Sequence, residues 1–284
     1  MTERIDCRLA AVNLHPIKSC AAVPVDEALL IETGLQLDRA WMVVDAKGVM
    51  LTQRALPRMA LVQMRLREDD MVLRAPGMLA LHVSLDAVEA PAQVRVWRDE
   101  VKAYDMGALA AQWFSDFLGT PARLVRFDPE EKRLADRAWT GDVEAEVAFV
   151  DGFPLLVAST ASLAELNRRL VEGGNAAVGA ERFRANLWLE GLQAHDEDHI
   201  DEVTIDAEGG PVRIRLVKPC VRCVIPNVDP GNAEVGREPW QTLSTYRADA
   251  RVQGGISFGM NGIILEGIDR VLRPGQQASA ARVA

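Results

Sequence analysis

Two cysteines separated by two residues are the side chains in this sequence best placed to do chemistry. Cys220 and Cys223 lie in the segment Lys-Pro-Cys-Val-Arg-Cys at residues 218–223. Such a pair can bind zinc, act as a dithiol redox centre, or consist of two small buried side chains. Zinc requires four ligands, and the other cysteines, Cys7 and Cys20, lie far away near the start of the sequence. The strand–helix–strand pattern of a thioredoxin-like centre is missing as well. On the pair alone, buried side chains are therefore the favoured interpretation.

The residues beside the pair shift this interpretation towards a metal ligand. Lys218 and Arg222 bring positive charge next to both thiols. Positive charge stabilises the thiolate, and the thiolate is the form that binds soft metals. Asp229-Pro230-Gly231 then turns the chain sharply.

A cluster of histidines and carboxylates is the second candidate for a metal site. His195 and His199 flank three consecutive acidic residues, at 196–198. The two histidines are four residues apart, but no helical pattern supports them. We expect a solvated acidic loop here rather than a metal site.

The elements that must position these residues are mostly strands. Over residues 1–105, short apolar segments alternate with acidic or Gly-containing turns, a pattern that predicts an antiparallel barrel or sandwich. Helices are predicted over about 108–118 and from a capping residue within 159–162. Strands are predicted over 212–217 and 256–265, on either side of the cysteine pair.

Composition excludes several classes of protein. Of the 284 residues, 49% are hydrophobic and 26% charged, so the chain can bury a sizeable core. A net charge of −9 argues against a non-specific nucleic-acid binder. No uncharged apolar run approaches the ~18 residues of a membrane helix. No apolar signal core follows Met1, so we expect a cytoplasmic protein without a membrane partner. The last ten or so residues, rich in Ala and Gln, are expected to fray.

Three motifs around the cysteine pair carry a resemblance to a known family. The first is Lys-Pro-Cys-Val-Arg-Cys-Val-Ile-Pro-Asn-Val-Asp-Pro at residues 218–230. Arg-Glu-Pro follows at 237–239, and Thr-Leu-Ser-Thr-Tyr-Arg at 242–247. Together they resemble the signature of the MOSC domain, which is named after the C-terminal domain of molybdenum cofactor sulfurases.

Further motifs resemble the β-barrel domain that precedes MOSC. They are His-Pro-Ile-Lys-Ser-Cys at 15–20, Gly-Leu-Gln-Leu-Asp-Arg-Ala-Trp-Met-Val at 34–43, and Thr-Gln-Arg at 52–54. This arrangement is similar to that of the bacterial YcbX-like proteins and the mitochondrial amidoxime-reducing components. The resemblance implies a mainly β protein (α+β) with an N-terminal β-barrel-like domain at 1–125. A MOSC β-barrel with a few helices is expected at 126–284.

The resemblance also implies a molybdenum cofactor, in which a pyranopterin and a cysteine thiolate hold the metal. Cys223 matches the ligand, and Cys220 matches a cysteine that is not a ligand. The cofactor carries phosphate and a polar pterin, which basic side chains, backbone donors and a helix N-terminus can hold. We expect it in the cleft between the two domains. The residues expected to bind it are Lys18, Ser19, Arg39, Ser159, Thr160, Arg184, Arg222 and Asn261.

The reaction implied by the resemblance is reduction of N-hydroxylated compounds, such as hydroxylamines, amidoximes and N-hydroxylated bases. Some relatives carry a C-terminal [2Fe–2S] ferredoxin domain, but the C-x4-C-x2-C spacing is missing here. We therefore expect a separate electron-transfer protein of the ferredoxin or flavin reductase type. A sulfur carrier with a persulfide on Cys223 is the alternative from another class, and a non-catalytic cofactor-binding or storage protein is the third. Trp240, near the cysteine pair, is expected to touch the substrate.

Overall fold

A computed structural model of the chain describes residues 4–282, most of whose regular structure is β-strand. Residues 1–3, part of the segment in which no signal core is predicted, lie outside the described range. Residues 283–284 of the expected tail also lie outside it. The strands of the first half are β1 (Arg4–Leu14), β2 (Val23–Val25), β3 (Ala28–Ile31), β4 (Gly34–Leu35), β5 (Trp41–Val44), β6 (Gln63–Leu66), β7 (Asp70–Arg74), β8 (Leu81–Ser84), β9 (Ala90–Val96), β10 (Asp99–Asp105) and β11 (Arg123–Phe127).

The second half adds eight strands, and four α-helices are spread along the described chain. The strands are β12 (Leu155–Ser159), β13 (Leu187–Glu190), β14 (Ile200–Ala207), β15 (Gly210–Val221), β16 (Ala248–Asp249), β17 (Gly255–Glu266), β18 (Val271–Leu272) and β19 (Gln277–Arg282). The helices are α1 (Ala108–Leu118), α2 (Arg137–Thr140), α3 (Thr160–Glu172) and α4 (Trp240–Ser244). Within residues 4–282, no helix is long and apolar enough to cross a membrane.

Seven strands close into a barrel in the order β12-β13-β1-β19-β14-β15-β17, because β12 also pairs with β17. The expectation of a β-barrel domain is thus confirmed. Alternate side chains of these strands point inward, as the two-residue period of a strand requires. Leu9, Leu189, Ile205 and Ile214 are among the residues buried in this core.

The first strand of the sequence belongs to this barrel rather than to the sheets that follow it. β1 pairs with β13 on one side and with β19 on the other, where Arg4 lies opposite Ala281. β1 therefore lies in the barrel formed mainly by the second half of the chain, although the expected domain boundary is at residue 125.

Residues 277–282, expected to fray, instead form β19 between β1 and β14. The expectation of a frayed end was wrong over this range. Ala278 and Ala280 are buried in the barrel core, so even small apolar side chains at alternate positions suffice when both edges of the strand are paired.

The N-terminal region contains two smaller antiparallel sheets, ordered β5-β11-β10-β9 and β6-β7-β8, with α1 packed beside them. A third small sheet joins β3 and β4 to β18 of the second half. The antiparallel short strands and the helix predicted there from the sequence are confirmed by the pairs β6–β7 and β9–β10 and by α1. Phe114 and Phe117 of α1 are fully buried, and Gly119 ends the helix in the left-handed conformation at φ +69°. Glycine suits this position because it has no Cβ to clash.

Gly34 sets a close approach between the N-terminal region and a loop of the second half. Its φ is +121°, and a Cβ placed on it would lie 2.5 Å from the carbonyl oxygen of Pro154. Only a residue without a side chain fits this position. The loop just before Pro154, residues 150–153, is thereby held against the N-terminal region.

Candidate active site

The pairing of β15 with β17 brings the cysteine pair and Asn261 together. Lys218 lies opposite Asn261 in this antiparallel pair, and the Asn261 Nδ2 donates to the Lys218 carbonyl oxygen at 3.2 Å. Cys220 is the last residue but one of β15, and Cys223 follows just beyond the strand end. Both thiols are free and half-buried, so they are reachable from the cleft.

Arg222 forms a hydrogen bond with the thiol of Cys220 but not with that of Cys223. Its Nη1 donates to the Cys220 Sγ at 3.0 Å, and its Nη2 donates to the Phe183 carbonyl oxygen at 2.8 Å. Among the described residues, nothing forms a hydrogen bond with the Cys223 thiol. Lys218, the other predicted cation, instead places its Nζ 5.0 Å from the centre of the Trp139 ring. The arrangement therefore leaves Cys223 as the sulfur available to a ligand.

Lys18 brings a buried ammonium group to the same cleft from the N-terminal region. It is 6% exposed, and its Nζ donates to the Phe149 carbonyl oxygen at 2.8 Å and to the Asp151 Oδ1 at 2.6 Å. Burial lowers the pKa of Lys18, and the Asp151 carboxylate opposes this effect. The Trp97 indole Nε1 donates to the same Asp151 oxygen at 3.0 Å. Asp151, itself held by the Trp97 indole, thus fixes the position of the Lys18 ammonium group.

Two arginines meet where the halves of the molecule face each other. The Arg39 Nη1 donates to the Asp38 carboxylate, and its Nη2 donates to the Arg184 carbonyl oxygen at 2.9 Å. The Arg184 Nη1 donates to the Cys20 carbonyl oxygen at 2.6 Å. Burial lowers the pKa of Arg184 to about 10, and the nearby Arg39 charge adds to this. Arg39 and a hydrogen bond from His15 keep the pKa of Asp38 low despite its burial.

Three of the residues that line the cleft have a left-handed backbone. Ser19 has φ +66°, Arg39 has φ +49° and Arg184 has φ +59°. A few per cent of non-glycine residues adopt this conformation, and those that do cluster at functional sites. Gln53 stabilises the turn at Ser19, because its Nε2 donates to the Ser19 carbonyl oxygen at 2.8 Å.

Most of the predicted site residues line this one cleft, and both halves of the chain contribute to it. The cleft includes Lys18, Ser19, Arg39, Arg184, Arg222, Cys223 and Asn261. It also includes residues to which the sequence assigned no role: Thr52, Arg54, Val150, Asp151, Gly152, Phe153 and Ile225. The sequence contained a signal for four of these residues. Thr52 and Arg54 belong to a motif of the family resemblance, and Asp151-Gly152 interrupts an apolar run.

Ser159 and Thr160 are not brought to the cleft. Ser159 is buried, caps α3 by accepting from the Ser162 N–H, and donates through Oγ to the Glu197 Oε2 at 2.9 Å. Thr160 donates to the Leu189 carbonyl oxygen at 3.4 Å. The N-terminus of α3 therefore does receive an acidic group, but that group is Glu197 of the same chain.

The segment 196–198 is buried rather than solvated, and the expectation of a solvated loop was wrong. Asp196, Glu197 and Asp198 are all less than a tenth exposed. Partners from distant parts of the sequence allow this burial: Arg247 donates to Asp198 at 2.6 Å, and the serines of α3 donate to Glu197. Burial raises the pKa of Glu197, and its hydrogen bonds oppose the rise.

Trp240 also lies away from the cleft. It is 39% exposed at the start of α4, and its backbone N–H donates to the Asn227 Oδ1 at 3.0 Å. The structure does not place its ring on the cleft wall. Trp97, by contrast, does reach the cleft through its hydrogen bond to Asp151.

Comparison with known proteins identifies the class. Residues 6–121 match the MOSC N-terminal beta barrel domain, and residues 144–281 match the MOSC domain. The fold and the cleft thus define a two-domain MOSC protein.

Similarity to individual proteins places the chain within that class. Mitochondrial amidoxime reducing component 2 of Bos taurus is 37% identical over 82% of this chain and 70% of its own length. Mitochondrial amidoxime-reducing component 1 of Homo sapiens is 35% identical over 84% and 72%. Molybdenum cofactor sulfurase of Homo sapiens is 33% identical over 87% of this chain but only 29% of its own length. The chain belongs to the MOSC family, in the group that includes the amidoxime reducing components.

Proposed function

We propose that this chain is a molybdenum-cofactor-dependent oxidoreductase that reduces N-hydroxylated compounds. The observation that carries the proposal is the convergence of Lys18, Arg39 and Arg184 with the free Cys223 thiol in one cleft. Relatives named for amidoxime reduction, at 35–37% identity, support the substrate class.

The residues of the cleft fit the chemistry of this cofactor. Arg222 keeps its Nε buried without a hydrogen-bond partner among the described residues, and a polar ligand would remove this unfavourable state. Cys223 would bind the metal, because it is a half-buried thiol whose sulfur has no hydrogen bond within the described chain. Lys18, Ser19, Arg39 and Arg184 would hold the phosphate and the pterin. When bound, the cofactor supplies a metal that takes oxygen from an N–O bond and provides two electrons.

Electrons for this reaction would come from a separate protein of the ferredoxin or flavin reductase type. The chain beside Cys223 is accessible to such a partner, since Val221 and Val224 are both about half exposed. Exposed apolar side chains next to a redox group suit a transient protein contact. We propose a cytoplasmic location for the protein, whose net charge of −9 favours solubility.

The test is elemental and pterin analysis of protein made in a molybdenum-replete host, with a matched pair of cysteine variants. We expect stoichiometric molybdenum in the unchanged protein, its loss in Cys223→Ser, and its retention in Cys220→Ser. The loaded protein should reduce benzamidoxime with a chemical electron donor. A molybdenum-free protein, or equal metal in both variants, would contradict the proposal.

A sulfur carrier with a persulfide on Cys223 is the second candidate function. The availability of the Cys223 sulfur and the similarity to molybdenum cofactor sulfurase favour it. The same preparation distinguishes the two candidates. Cyanide-labile sulfur that disappears in Cys223→Ser, without bound molybdenum, would support the carrier.

A further inference from the structure

Trp97 lies at the tip of a hairpin that reaches the cleft from the N-terminal region. β9 and β10 pair with Val96 opposite Asp99, so Trp97 and Arg98 are the two residues of the turn. Of these two, only Trp97 has a positive φ, at +56°. This is the pattern of a type II′ turn, in which glycine is the favoured first residue. A bulky side chain is unusual there, and such backbone conformations cluster at functional sites.

Burial in the core does not explain the presence of this tryptophan. Trp97 is 42% exposed, although Val96 beside it is fully buried. Trp41, Trp113 and Trp188, by contrast, are all less than a tenth exposed. A large apolar ring left in water is unfavourable, and a ligand that covers it is stabilised by the apolar area removed from water. The ring of Trp97 is therefore available to a small molecule.

Two contacts hold the exposed ring in place. Its Nε1 donates to the Asp151 Oδ1 at 3.0 Å, and the guanidinium carbon of Arg54 lies 4.3 Å from the ring centre. Asp151 is itself fixed by the Lys18 Nζ, which donates to the same oxygen at 2.6 Å. Within residues 4–282, the Arg54 side chain forms no ion pair that would draw it off the ring. A ligand therefore does not have to order this ring on binding, which favours affinity.

The two partners of the ring connect it to the cleft. Arg54 and Asp151 are both wall residues of the cleft that contains Cys223. Phe153, two residues after Asp151, adds a second aromatic ring to the same wall. Trp97 thus lies at the edge of the cleft. A compound whose reactive end enters the cleft can lay its other end against the indole.

An aromatic surface of this kind favours a flat ligand. Indole rings stack on planar conjugated rings, and a guanidinium group on one side of the indole leaves the rest of its surface for such a contact. N-hydroxylated compounds in which the N–O group is conjugated with an aromatic ring are flat. Those that carry the same group on an alkyl chain have no ring to stack. The indole can therefore distinguish between members of the proposed substrate class.

We propose that Trp97 is a specificity-determining residue that stacks on the aromatic ring of the substrate, so that aromatic N-hydroxylated compounds are preferred over aliphatic ones. The inference rests on the proposed function, because it names the part of the substrate that lies away from the reactive group. It gives the indole ring a role separate from that of its N–H, which supports Asp151.

The test compares two amidoximes that share the reactive group. Benzamidoxime carries a flat ring, and acetamidoxime carries a methyl group. Calorimetry without an electron donor measures the affinity of both for the purified full-length protein. Trp97→Leu removes the ring and the N–H, whereas Trp97→Phe removes the N–H and keeps an aromatic ring. Trp240→Leu is the matched control, because Trp240 is 39% exposed but lies away from the cleft.

We expect the preference for benzamidoxime, measured as the ratio of the two dissociation constants, to fall about tenfold in Trp97→Leu. Trp97→Phe should keep most of this preference, and Trp240→Leu all of it. In turnover with a chemical electron donor, Trp97→Leu should raise KM for benzamidoxime and leave kcat unchanged, since the contact lies away from the reacting atoms. Circular dichroism and molybdenum per chain check that each variant is folded and loaded.

Fluorescence provides a second measurement that does not depend on the folding of Trp97→Leu. Benzamidoxime stacked on the indole should quench part of the tryptophan fluorescence of the unchanged protein. This part should be missing in Trp97→Phe, and acetamidoxime should quench neither protein.

An unchanged preference in folded Trp97→Leu overturns the inference, as does an equal fall in Trp240→Leu or a protein that binds neither amidoxime. An equal loss of both amidoximes in Trp97→Leu and Trp97→Phe also overturns it, because the effect would then come from the N–H and Asp151. The proposed function fails separately, if benzamidoxime binds to the molybdenum-loaded protein but is not reduced with a chemical electron donor.

Discussion

Arg39 donates a hydrogen bond to the backbone carbonyl of Arg184 at 2.9 Å, across the boundary between the two halves of the molecule. The same pair places two guanidinium groups close enough for the charge of Arg39 to oppose that of Arg184. One residue thus links the halves and, together with its partner, prepares the cleft for an anion. Phosphate binding would relieve the repulsion between the two cations.

Replacing Arg39 with lysine keeps the positive charge but removes the planar fork that reaches Asp38 and Arg184 at once. We expect cofactor occupancy to fall about tenfold. Pterin fluorescence and molybdenum per chain would measure it. Arg65→Lys, at an exposed position of β6, is the control and should keep full occupancy. Unchanged pterin content in Arg39→Lys would remove Arg39 from the set of cofactor-binding residues.

Replacing Trp97 with phenylalanine tests the support of Lys18 through Asp151. The change removes the indole N–H that donates to Asp151 and keeps an aromatic ring under Arg54, whose guanidinium carbon lies 4.3 Å from the ring centre. We expect a loss of about 1 kcal/mol in the free energy of unfolding, because the lost bond is to a charged group but partly exposed. Urea unfolding followed by circular dichroism measures it. A Trp97→Phe protein as stable as the original would show that Asp151 does not need this donor.

Glu197 gives the fold a pH dependence of defined sign. Burial raises its pKa above the ordinary value of 4.5, so the folded state holds this proton more tightly than the unfolded state does. Stability attributable to Glu197 is therefore greatest at low pH and declines as pH rises from the unfolded pKa through the folded one.

Glu197→Gln keeps the hydrogen-bonding capacity without the titration. The free energy of unfolding of Glu197→Gln should increase relative to that of the original protein across this pH range. Above the range, the difference between the two proteins should stay constant. Glu208→Gln, in an exposed turn, is the control. A constant difference between Glu197→Gln and the original protein from pH 4 upward is the result that contradicts the assignment.

Gly34 can be tested against Gly77, a second glycine with a positive φ but with open space where a Cβ would lie. Gly34→Ala puts a Cβ 2.5 Å from the Pro154 carbonyl oxygen, whereas Gly77, at φ +77°, has no atom within 4 Å of that position. We expect Gly77→Ala to cost about 1 kcal/mol of stability, and Gly34→Ala at least twice as much. Equal costs, measured by urea unfolding, would mean that the approach to Pro154 is not tight in solution.

Local sequence signals were sufficient for many elements. The strand predicted over 256–265 matches β17, and the helix predicted over 108–118 matches α1. Apolar period, capping residues and terminal glycines lie within the element itself, so a single stretch of sequence contains the information. The motifs that carry the family resemblance also located most of the cleft.

Side-chain contacts between residues far apart in the sequence could not be predicted from such local signals. The α3 start suggested an anion site at Ser159, but nothing near it in the sequence announces Glu197 as the acidic partner. The acidic segment 196–198 looked solvated because its partner Arg247 lies about fifty residues further on. Asp151 was missed for the same reason, since its role depends on Lys18 and Trp97 in the other half of the molecule.

The pairing of β1 with β19 has a consequence for how the chain is made and folded. The ribosome releases β1 long before β19, yet the two strands are neighbours in the closed barrel. During synthesis β1 must wait with an unpaired edge, while the intervening sheets and α1 can already fold. Joining the two ends and opening the chain at the exposed turn around Gly209 would make β1 and β19 neighbours in sequence, and should shorten that wait.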